Sequence, residues 1–343
     1  MGASSNPSFL IIRRDNIGDL VCTTPMIAAL RTHYPDAWIG ALVNRYAEPV
    51  LAGNPDLDEV FSYQKGKHRL PGETVLGLYA QRLRMLLGLR KREIDYVILA
   101  APGYQASAER LARWVKPRNI IGFDNGSGLA NMAVSIKAES RQHQVENIFR
   151  LLTALQIEGK PTPLKLVAKV ALVDIWRKRL RGGEGPIVGV HISAREADRR
   201  WPDLHFVELI RLLTSKQGAR VILSWAPGRP DNPRFPGDDE SALNIAAACS
   251  GGSLLAIPTD GLDGLIAGLA VCDQVICSDG GPVHLAAALG KPVVSLFGSE
   301  HPELWHPWGV PYRLLQAESR NVRDIAVEDV VSAWKELLPM PGQ

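Results

Sequence analysis

Residues 277–298, Cys277-Ser-Asp-Gly-Gly-Pro-Val-His-Leu-Ala-Ala-Ala-Leu-Gly-Lys-Pro-Val-Val-Ser-Leu-Phe-Gly298, place an acid, two glycines, a proline and a histidine between two apolar runs. The first run predicts a buried strand, and Pro282 suits the first turn of a helix because its missing N–H would have no partner there. In an open α/β sheet such a corner lies at the carboxyl ends of the strands, where ligands bind, and the helix amides favour a diphosphate. The candidate contacts are Asp279, Gly280, Gly281 and His284. The alternative is a strand-to-helix turn with Asp279 as its cap.

Short apolar runs alternate with helical patterns in both halves of the chain. This alternation predicts an α/β fold made of two doubly wound parallel sheets. Their junction is expected in the polar region 158–186, and a helix is expected to follow the first strand over residues 20–33. The strand candidates are 9–12, 38–43, 96–100, 119–122, 186–191, 219–224, 274–277 and 292–297.

Length and composition set limits on function. The chain has 343 residues, enough for two domains with their own cores. A net charge of +3 does not indicate a general nucleic-acid binder. The four cysteines lack metal-ligand spacing and no secretory signal is recognised, so we expect a cytoplasmic protein. The apolar runs are too short to span a membrane, so any membrane contact is expected to be peripheral.

A second corner, Asn16-Ile17-Gly18-Asp19, joins the first strand to its helix. Gly18 permits close backbone approach, and the helix start favours the charged form of Asp19. An ionised carboxylate at this position can act as a general base. The alternative is that Asp19 only caps the helix.

Three stretches together resemble glycosyltransferase family 9, the heptosyltransferases of lipopolysaccharide assembly. Residues 12–36 contain Ile-Gly-Asp, then Thr-Pro, Leu-Arg and Tyr-Pro, as the family's opening does. Residues 191–202 end in the family's Trp-Pro, and residues 278–298 are similar to its donor-site signature. The motifs are in the family's order and cover nearly the whole chain.

The resemblance implies the GT-B fold, two Rossmann-like domains facing across a cleft. Residues 1–165 would bind the acceptor and residues 166–325 the nucleotide sugar. Residues 326–343 would form a C-terminal helix that packs back on the N-terminal domain.

Carried over by position, the family's catalytic base falls on Asp19. Its donor diphosphate corner falls on Asp279, Gly280, Gly281 and His284. The basic phosphate contact falls on Arg199 or Arg200, between which the spacing does not choose. The donor contacts are completed by Ser193 and by Trp225, which core packing explains equally well. The first loop would contact acceptor or phosphate through Arg13, Asn16 and Gly18, although Asp15-Asn16 stands where some members have two serines.

The resemblance also implies the chemistry. An acceptor hydroxyl would displace ADP from ADP-heptose with inversion, and Asp19 would take the hydroxyl proton, which contributes about 10²–10⁴-fold. The helix amides and an arginine would stabilise the departing diphosphate. No metal or other cofactor is expected.

A basic segment, residues 64–93, lies in the predicted acceptor half, with eight Lys or Arg against two Glu. Lys65, Lys67 and Arg69 form a candidate acceptor patch for the phosphates and acid sugars of a lipid-linked core precursor. A second possible role of the segment is to bind the enzyme to the anionic inner leaflet of the membrane. The alternative is a solvated basic helix with its apolar face in the core.

Other functions stay open at this point. They are a family member that uses another nucleotide sugar, a GT-B nucleotide-sugar epimerase, and a non-catalytic nucleotide-sugar-binding protein. The sequence does not identify the donor sugar, the acceptor hydroxyl, the pathway or the oligomeric state.

Overall fold

The computed structural model describes residues 6–64, 74–135, 141–180, 183–232, 237–249, 253–259 and 261–338. The chain divides into two compact units between Val167 and Ala168. This division lies two residues beyond the predicted boundary between 165 and 166. The roles assigned to the two domains stay predictions.

The first unit is built on one parallel sheet with the strand order β3-β2-β1-β4-β5-β6. Its strands are β1 Ser8–Ile12, β2 Trp38–Asn44, β3 Glu59–Tyr63, β4 Tyr96–Leu99, β5 Asn119–Phe123 and β6 Met132–Val134. Its helices are α1 Ile17–Val21, α2 Thr24–His33, α3 Val75–Lys91, α4 Ala106–Val115 and α5 Gln144–Phe149, with 3-10 turns at Arg45–Val50 and Arg150–Leu155.

The second unit has its own parallel sheet, in the order β12-β11-β10-β7-β8-β9. Its strands are β7 Ile187–His191, β8 Arg220–Trp225, β9 Leu254–Pro258, β10 Gln274–Ser278, β11 Val293–Phe297 and β12 Tyr312–Gln316. Its helices are α6 Val170–Arg179, α7 Asp203–Arg211, α8 Asp239–Ala248, α9 Gly261–Val271, α10 Gly281–Ala288, α11 Pro302–Trp305 and α12 Val327–Glu336. It also has 3-10 turns at Ala197–Arg199 and Val322–Asp324 and a π-helical turn at Leu212–Lys216.

Both sheets have the Rossmann strand order. Numbered within its own unit, each sheet has the strand order 3-2-1-4-5-6. The second and third strands therefore lie on one side of the first strand, and the fourth to sixth strands lie on its other side. The switch points therefore lie between β1 and β4 and between β7 and β10. The predicted fold class, two Rossmann-like α/β units, is confirmed, and the two corners singled out in the sequence follow β1 and β10.

The central strands β1 and β10 are buried on both faces, and this burial fixes the position of the corner that follows each strand. Phe9 and Leu10 point to opposite faces of β1 and are both 0% exposed. Every residue of β10 is buried. Burying a large apolar side chain contributes about 1.5–3 kcal/mol, so the two continuous apolar runs hold the strand ends in place.

The helix predicted over residues 20–33 is two helices. α1 ends at Val21 and α2 begins at Thr24, with Pro25 in its first turn. Because proline has no N–H and clashes with the carbonyl of the preceding turn, a continuous helix through Pro25 is disfavoured and the chain restarts there.

The C-terminal helix α12 lies in the core of the second unit. Val330 and Trp334 recur at helical spacing and are 0% and 1% exposed, in the same cluster as Val188 and Phe206. Residues 326–338 therefore pack on this unit, because its core takes up the apolar face of the helix. A contact between the helix and the first domain stays a prediction.

Among the described residues, no helix combines the length and apolar character that crossing a bilayer requires.

Candidate functional site

The first corner follows β1, at the switch point of the first sheet. Asn16 is the N-cap of α1, and Asp19 is the third residue of the helix. The Asn16 N–H donates to Asp19 Oδ2 over 3.2 Å. A carboxylate that reaches back to the N-cap in this way satisfies a free amide and is favoured by the helix dipole. Asp19 thus has the capping contact that the sequence offered as the alternative to catalysis.

Arg13 holds the same carboxylate from the other side. Its Nη2 donates to Asp19 Oδ1 over 2.6 Å, and its Nε lies 3.0 Å from Asp15 Oδ2. The Arg13 side chain is 1% exposed, whereas that of Asp19 is 17% exposed. The sequence put Arg13 in the acceptor or phosphate loop, but the structure commits its guanidinium to two carboxylates. The guanidinium therefore fixes the direction of the Asp19 carboxylate, which remains accessible from one side, and a contact of Arg13 with acceptor or phosphate stays a prediction.

Asp15 is held by the loop that follows β4. Gln105 Nε2 donates a short hydrogen bond to Asp15 Oδ1. The Tyr46 hydroxyl donates to the Asp15 carbonyl over 2.6 Å. A small cavity at the carboxyl ends of β1, β4 and β5 is lined by Ile12 and Gln105, among other residues. The first corner is therefore a fixed loop beside a cavity at the switch point.

A cationic cluster lies next to this loop. The guanidinium carbons of Arg14 and Arg82 lie 4.9 and 5.0 Å from the centre of the Tyr63 ring. Burial and the charges of Arg82 and Arg110 together lower the pKa of Arg14 to about 10, against the opposing effect of the Asp15 carboxylate. Two arginines packed on one aromatic ring place two cations side by side in the first unit. Arg82 belongs to the basic segment 64–93 that the sequence singled out, whereas Arg14 was not predicted.

The other residues predicted to contact the acceptor are Gly18 and the basic patch. Gly18 is buried in the first turn of α1, and its role in an acceptor loop stays a prediction. Lys65, Lys67 and Arg69, the predicted acceptor patch, lie outside the described residues.

The second corner joins β10 to α10 as predicted. Gly280 is the N-cap of α10, with φ +156° and ψ −168°, a backbone conformation that favours glycine. Pro282 and His284 lie in the first turn of the helix, and His284 is buried against Trp305, with their ring centres 5.7 Å apart. The free amides of the turn are thus presented at the carboxyl end of β10.

The structure distinguishes the two arginines that the sequence left open. Arg199 Nη1 lies 2.9 Å from Asp279 Oδ2, and its Nη2 donates to Glu300 Oε1 over 2.7 Å. Arg200 instead donates from Nε to the carbonyl of Ala194 over 3.0 Å. Arg199 therefore belongs to the corner itself, and Arg200 holds the loop that follows β7.

Asp279 is buried, at 6% exposure, and its own N–H donates to the carbonyl of Leu296 over 2.8 Å. Burial raises the pKa of the Asp279 carboxyl to about 6, while the Arg199 cation lowers it and the nearby Glu300 raises it. The corner therefore holds a carboxyl that titrates close to neutral pH beside a fixed cation.

Asp198 joins this corner to the loop that follows β11. Its Oδ2 accepts from the Ser299 N–H over 2.8 Å, and hydrogen bonds from Ser299 lower its pKa. A Cβ on Gly298 would lie 2.7 Å from the same oxygen, so only glycine allows this approach. Sequence reasoning missed Asp198 and Glu300, whose partners lie about a hundred residues away along the chain.

Ser193 and Trp225 connect the loops after β7 and β8. Ser193 Oγ accepts from the Ala226 N–H over 2.8 Å. Trp225 is 5% exposed in the core cluster, and its indole N–H donates to Asp239 Oδ1 over 2.7 Å. The core packing that the sequence offered for Trp225 is thus present, and donor contacts by either residue stay predictions.

A buried histidine that the sequence did not single out lies at the end of β7. His191 Nδ1 is 3.0 Å from Ser224 Oγ, and burial lowers the pKa of His191 to about 4. The imidazole is therefore neutral near pH 7 and couples the ends of β7 and β8.

Within the parts of the chain that the structure describes, no group of three or more His, Cys, Asp or Glu side chains is arranged to hold a metal ion. That the reaction needs no metal stays a prediction.

Comparison with known proteins identifies the family. The model of glycosyltransferase family 9 (heptosyltransferase) matches residues 82–334, more than half of the chain. Lipopolysaccharide heptosyltransferase 3 of Escherichia coli (strain K12) is 25% identical over 350 residues, with 94% of this chain and 95% of that protein covered. Lipopolysaccharide heptosyltransferase 1 of the same strain is 29% identical over 336 residues, with 96% and 99% covered.

A solved structure, the E. coli heptosyltransferase WaaC with ADP-2-deoxy-2-fluoro heptose, gives a TM-score of 0.74 at 20% identity. The alignment covers 96% of this chain and 99% of that chain. The likeness therefore extends over both Rossmann-like units, which together make up the GT-B fold. The resemblance inferred from the three motifs is confirmed, and this chain belongs to glycosyltransferase family 9 (heptosyltransferase).

Proposed function

We propose that this glycosyltransferase transfers heptose from ADP-heptose to a hydroxyl of a lipopolysaccharide core or related glycan acceptor, with inversion at the anomeric carbon. The observation that carries the proposal is the Asp19 carboxylate, fixed on both oxygens and still accessible at the switch point. The heptosyltransferase names of the relatives support the choice of sugar and acceptor.

Asp19 is the general base in this proposal. Its Oδ1 is engaged by Arg13 over 2.6 Å, whereas Oδ2 accepts the longer, 3.2 Å hydrogen bond from the Asn16 amide. We assign Oδ2 as the atom that takes the proton of the acceptor hydroxyl while the hydroxyl oxygen attacks the anomeric carbon. The Arg13 cation keeps the base oriented before and after the transfer.

The second corner receives the leaving diphosphate. The amides at the start of α10 favour an anion, and Arg199 supplies a fixed planar cation. Glu300, which pairs with Arg199, is 38% exposed, so it can leave when a phosphate takes its place. Asp279 stays beside the guanidinium. Arg199 is thus the diphosphate contact, and Arg200 supports the loop.

This arrangement needs no metal or other cofactor, because a helix N-terminus and an arginine already face the charge that develops on the departing ADP. The proposal predicts that transfer is unchanged after treatment with a chelator.

The acceptor is lipid-linked in this proposal, and its phosphates or acid sugars are attracted by Arg14 and Arg82 and by the predicted patch Lys65, Lys67 and Arg69. The enzyme then works at the cytoplasmic face of the inner membrane as a peripheral protein. No nucleic-acid partner is proposed.

Transfer by the wild-type protein tests the proposal. Purified enzyme is incubated with ADP-heptose and with a heptose-deficient lipopolysaccharide core, and the anomeric configuration of the product is read by NMR. We expect heptose transfer with inversion. Transfer from a different nucleotide sugar, retention of configuration, or ADP-heptose binding without any transfer would overturn the proposal.

A further inference from the structure

Helix α3 exposes a continuous apolar stripe. Leu76, Tyr79, Leu83 and Leu87 recur every three or four residues and therefore lie on one face of the helix. They are 82%, 64%, 47% and 46% exposed. Scattered exposed leucines are ordinary, but an apolar stripe over about three helical turns marks an interaction surface.

The stripe is not the face by which α3 packs on its own unit. Leu86 and Leu89 are the buried residues of the helix. The expectation of a basic helix with its apolar face in the core therefore describes only part of α3. A second apolar face remains on the outside.

The charged residues of α3 are all of one sign. Between Val75 and Lys91 the helix contains no Asp or Glu. Its basic residues are Arg82, Arg84, Arg90 and Lys91. Apolar side chains on one face with Lys and Arg around them are the pattern of helices that lie in the interface of an anionic bilayer.

We propose that α3 docks the enzyme on an anionic lipid bilayer. Leu76, Tyr79, Leu83 and Leu87 enter the boundary between headgroups and acyl chains. Arg84, Arg90 and Lys91 lie near the lipid phosphates. The inference deepens the proposed function and rests on it for the lipid-linked acceptor, but the residues that carry it are outside the site.

A second copy of the chain fits this surface less well. In a symmetric dimer each helix would meet the same patch on its partner, so like charges would face each other. With no acidic residue on α3 to pair with them, these charges oppose such a contact, whereas an anionic bilayer attracts them.

Vesicle sedimentation tests the proposal. We expect the wild-type protein to sediment with vesicles of phosphatidylcholine mixed with phosphatidylglycerol, and weakly with phosphatidylcholine alone. The triple variant Leu76→Ser/Leu83→Ser/Leu87→Ser should bind the mixed vesicles at least about tenfold more weakly. Arg84→Gln and Lys91→Gln should each weaken binding about fivefold, and high salt should remove this difference.

The matched control changes two exposed leucines of the second unit. Leu204 and Leu243 are 79% and 65% exposed, and Leu204→Ser/Leu243→Ser should bind vesicles as the wild type does. Circular dichroism and melting temperature establish that both variants are folded. Vesicle binding equal to wild type in the folded triple variant, or absent in the wild type, would overturn the proposal. So would a wild-type dimer in sedimentation velocity that the triple variant abolishes.

Transfer to a deacylated, water-soluble core acceptor separates this inference from the proposed function. The wild type and the triple variant should transfer to that acceptor at equal rates. Loss of transfer in both would refute the proposed function, and vesicle binding would still decide the role of α3.

Discussion

The Arg13 guanidinium donates to the Asp19 carboxylate over 2.6 Å from a side chain that is 1% exposed, so a buried cation fixes the direction of this carboxylate. The same guanidinium lies 3.0 Å from Asp15. A planar fork between two carboxylates sets the direction of both, which a flexible ammonium does not do.

Arg13→Lys should therefore impair catalysis more than binding. Because a misplacement of about 1 Å can cost about 10²-fold, we expect kcat to fall about 10- to 100-fold with ADP affinity unchanged. Arg31→Lys is the matched control, since Arg31 also bridges a carboxylate and backbone carbonyls but lies away from the corner. An unchanged kcat in Arg13→Lys, or an equal loss in Arg31→Lys, would contradict the positioning role. Steady-state kinetics and calorimetry provide the two readouts.

Arg199 and Arg200 should behave differently although they are neighbours. Removing a charged hydrogen-bonding partner costs about 1.5–3 kcal/mol, so Arg199→Gln should weaken ADP binding by about tenfold or more. Arg200→Gln should change ADP affinity less than about threefold, because the Arg200 Nε donates to the carbonyl of Ala194 in its own loop. Titration calorimetry with ADP checks both, and the opposite order of effects would refute the assignment of Arg199.

Gly280→Ala should destabilise the protein because alanine disfavours the backbone conformation of residue 280, not because of a steric clash. A Cβ at this position would meet nothing closer than Pro282 Cδ at 3.7 Å, but φ is +156°. The expected cost is about 1–3 kcal/mol in the free energy of unfolding, with weaker ADP binding. Gly264→Ala is the control within α9, where alanine is the better helix former and should raise stability by about 0.5–1 kcal/mol. Urea unfolding measures both, and equal effects would show that the conformation of Gly280 carries no strain for alanine.

Stability should depend on pH through Asp279. Its pKa is about 6 in the folded protein, above the usual value of 3.8, so the folded state holds this proton more tightly than the unfolded state. The free energy of unfolding should therefore fall as pH rises from about 4 to about 6, by up to about 3 kcal/mol. Asp279→Asn removes this titration, so subtracting its unfolding curve from that of the wild type isolates the effect. Parallel pH profiles for the two proteins would contradict the raised pKa.

The strands and corners were predictable because they depend on local patterns. Short apolar runs such as residues 9–12 and 275–277 favour buried strands, and the glycine-containing segments that follow them favour tight turns. The order of the strands was not predictable in the same way, since pairing of β1 with β4 or β7 with β10 joins residues far apart in the chain.

The sequence predicted the site residues that lie in local motifs, but not the contacts that join distant parts of the chain. Asp19 and Asp279 lie in motifs, whereas the fork of Arg199 between Asp279 and Glu300 depends on contacts made by three separate loops. The exposed stripe of α3 was missed because helical spacing shows that a face is apolar but does not show whether another element covers it.

The most direct test of the account is transfer by Asp19→Asn beside its donor affinity. Asparagine has nearly the same shape and retains a side-chain oxygen that can accept from the Asn16 N–H, but it cannot take a proton at neutral pH. If Asp19 is the general base, turnover falls by about 10²-fold or more while ADP-heptose affinity and melting temperature stay near those of the wild type. If Asp19 only caps α1, the variant transfers heptose at a rate close to that of the wild type, and that result would contradict the proposed mechanism.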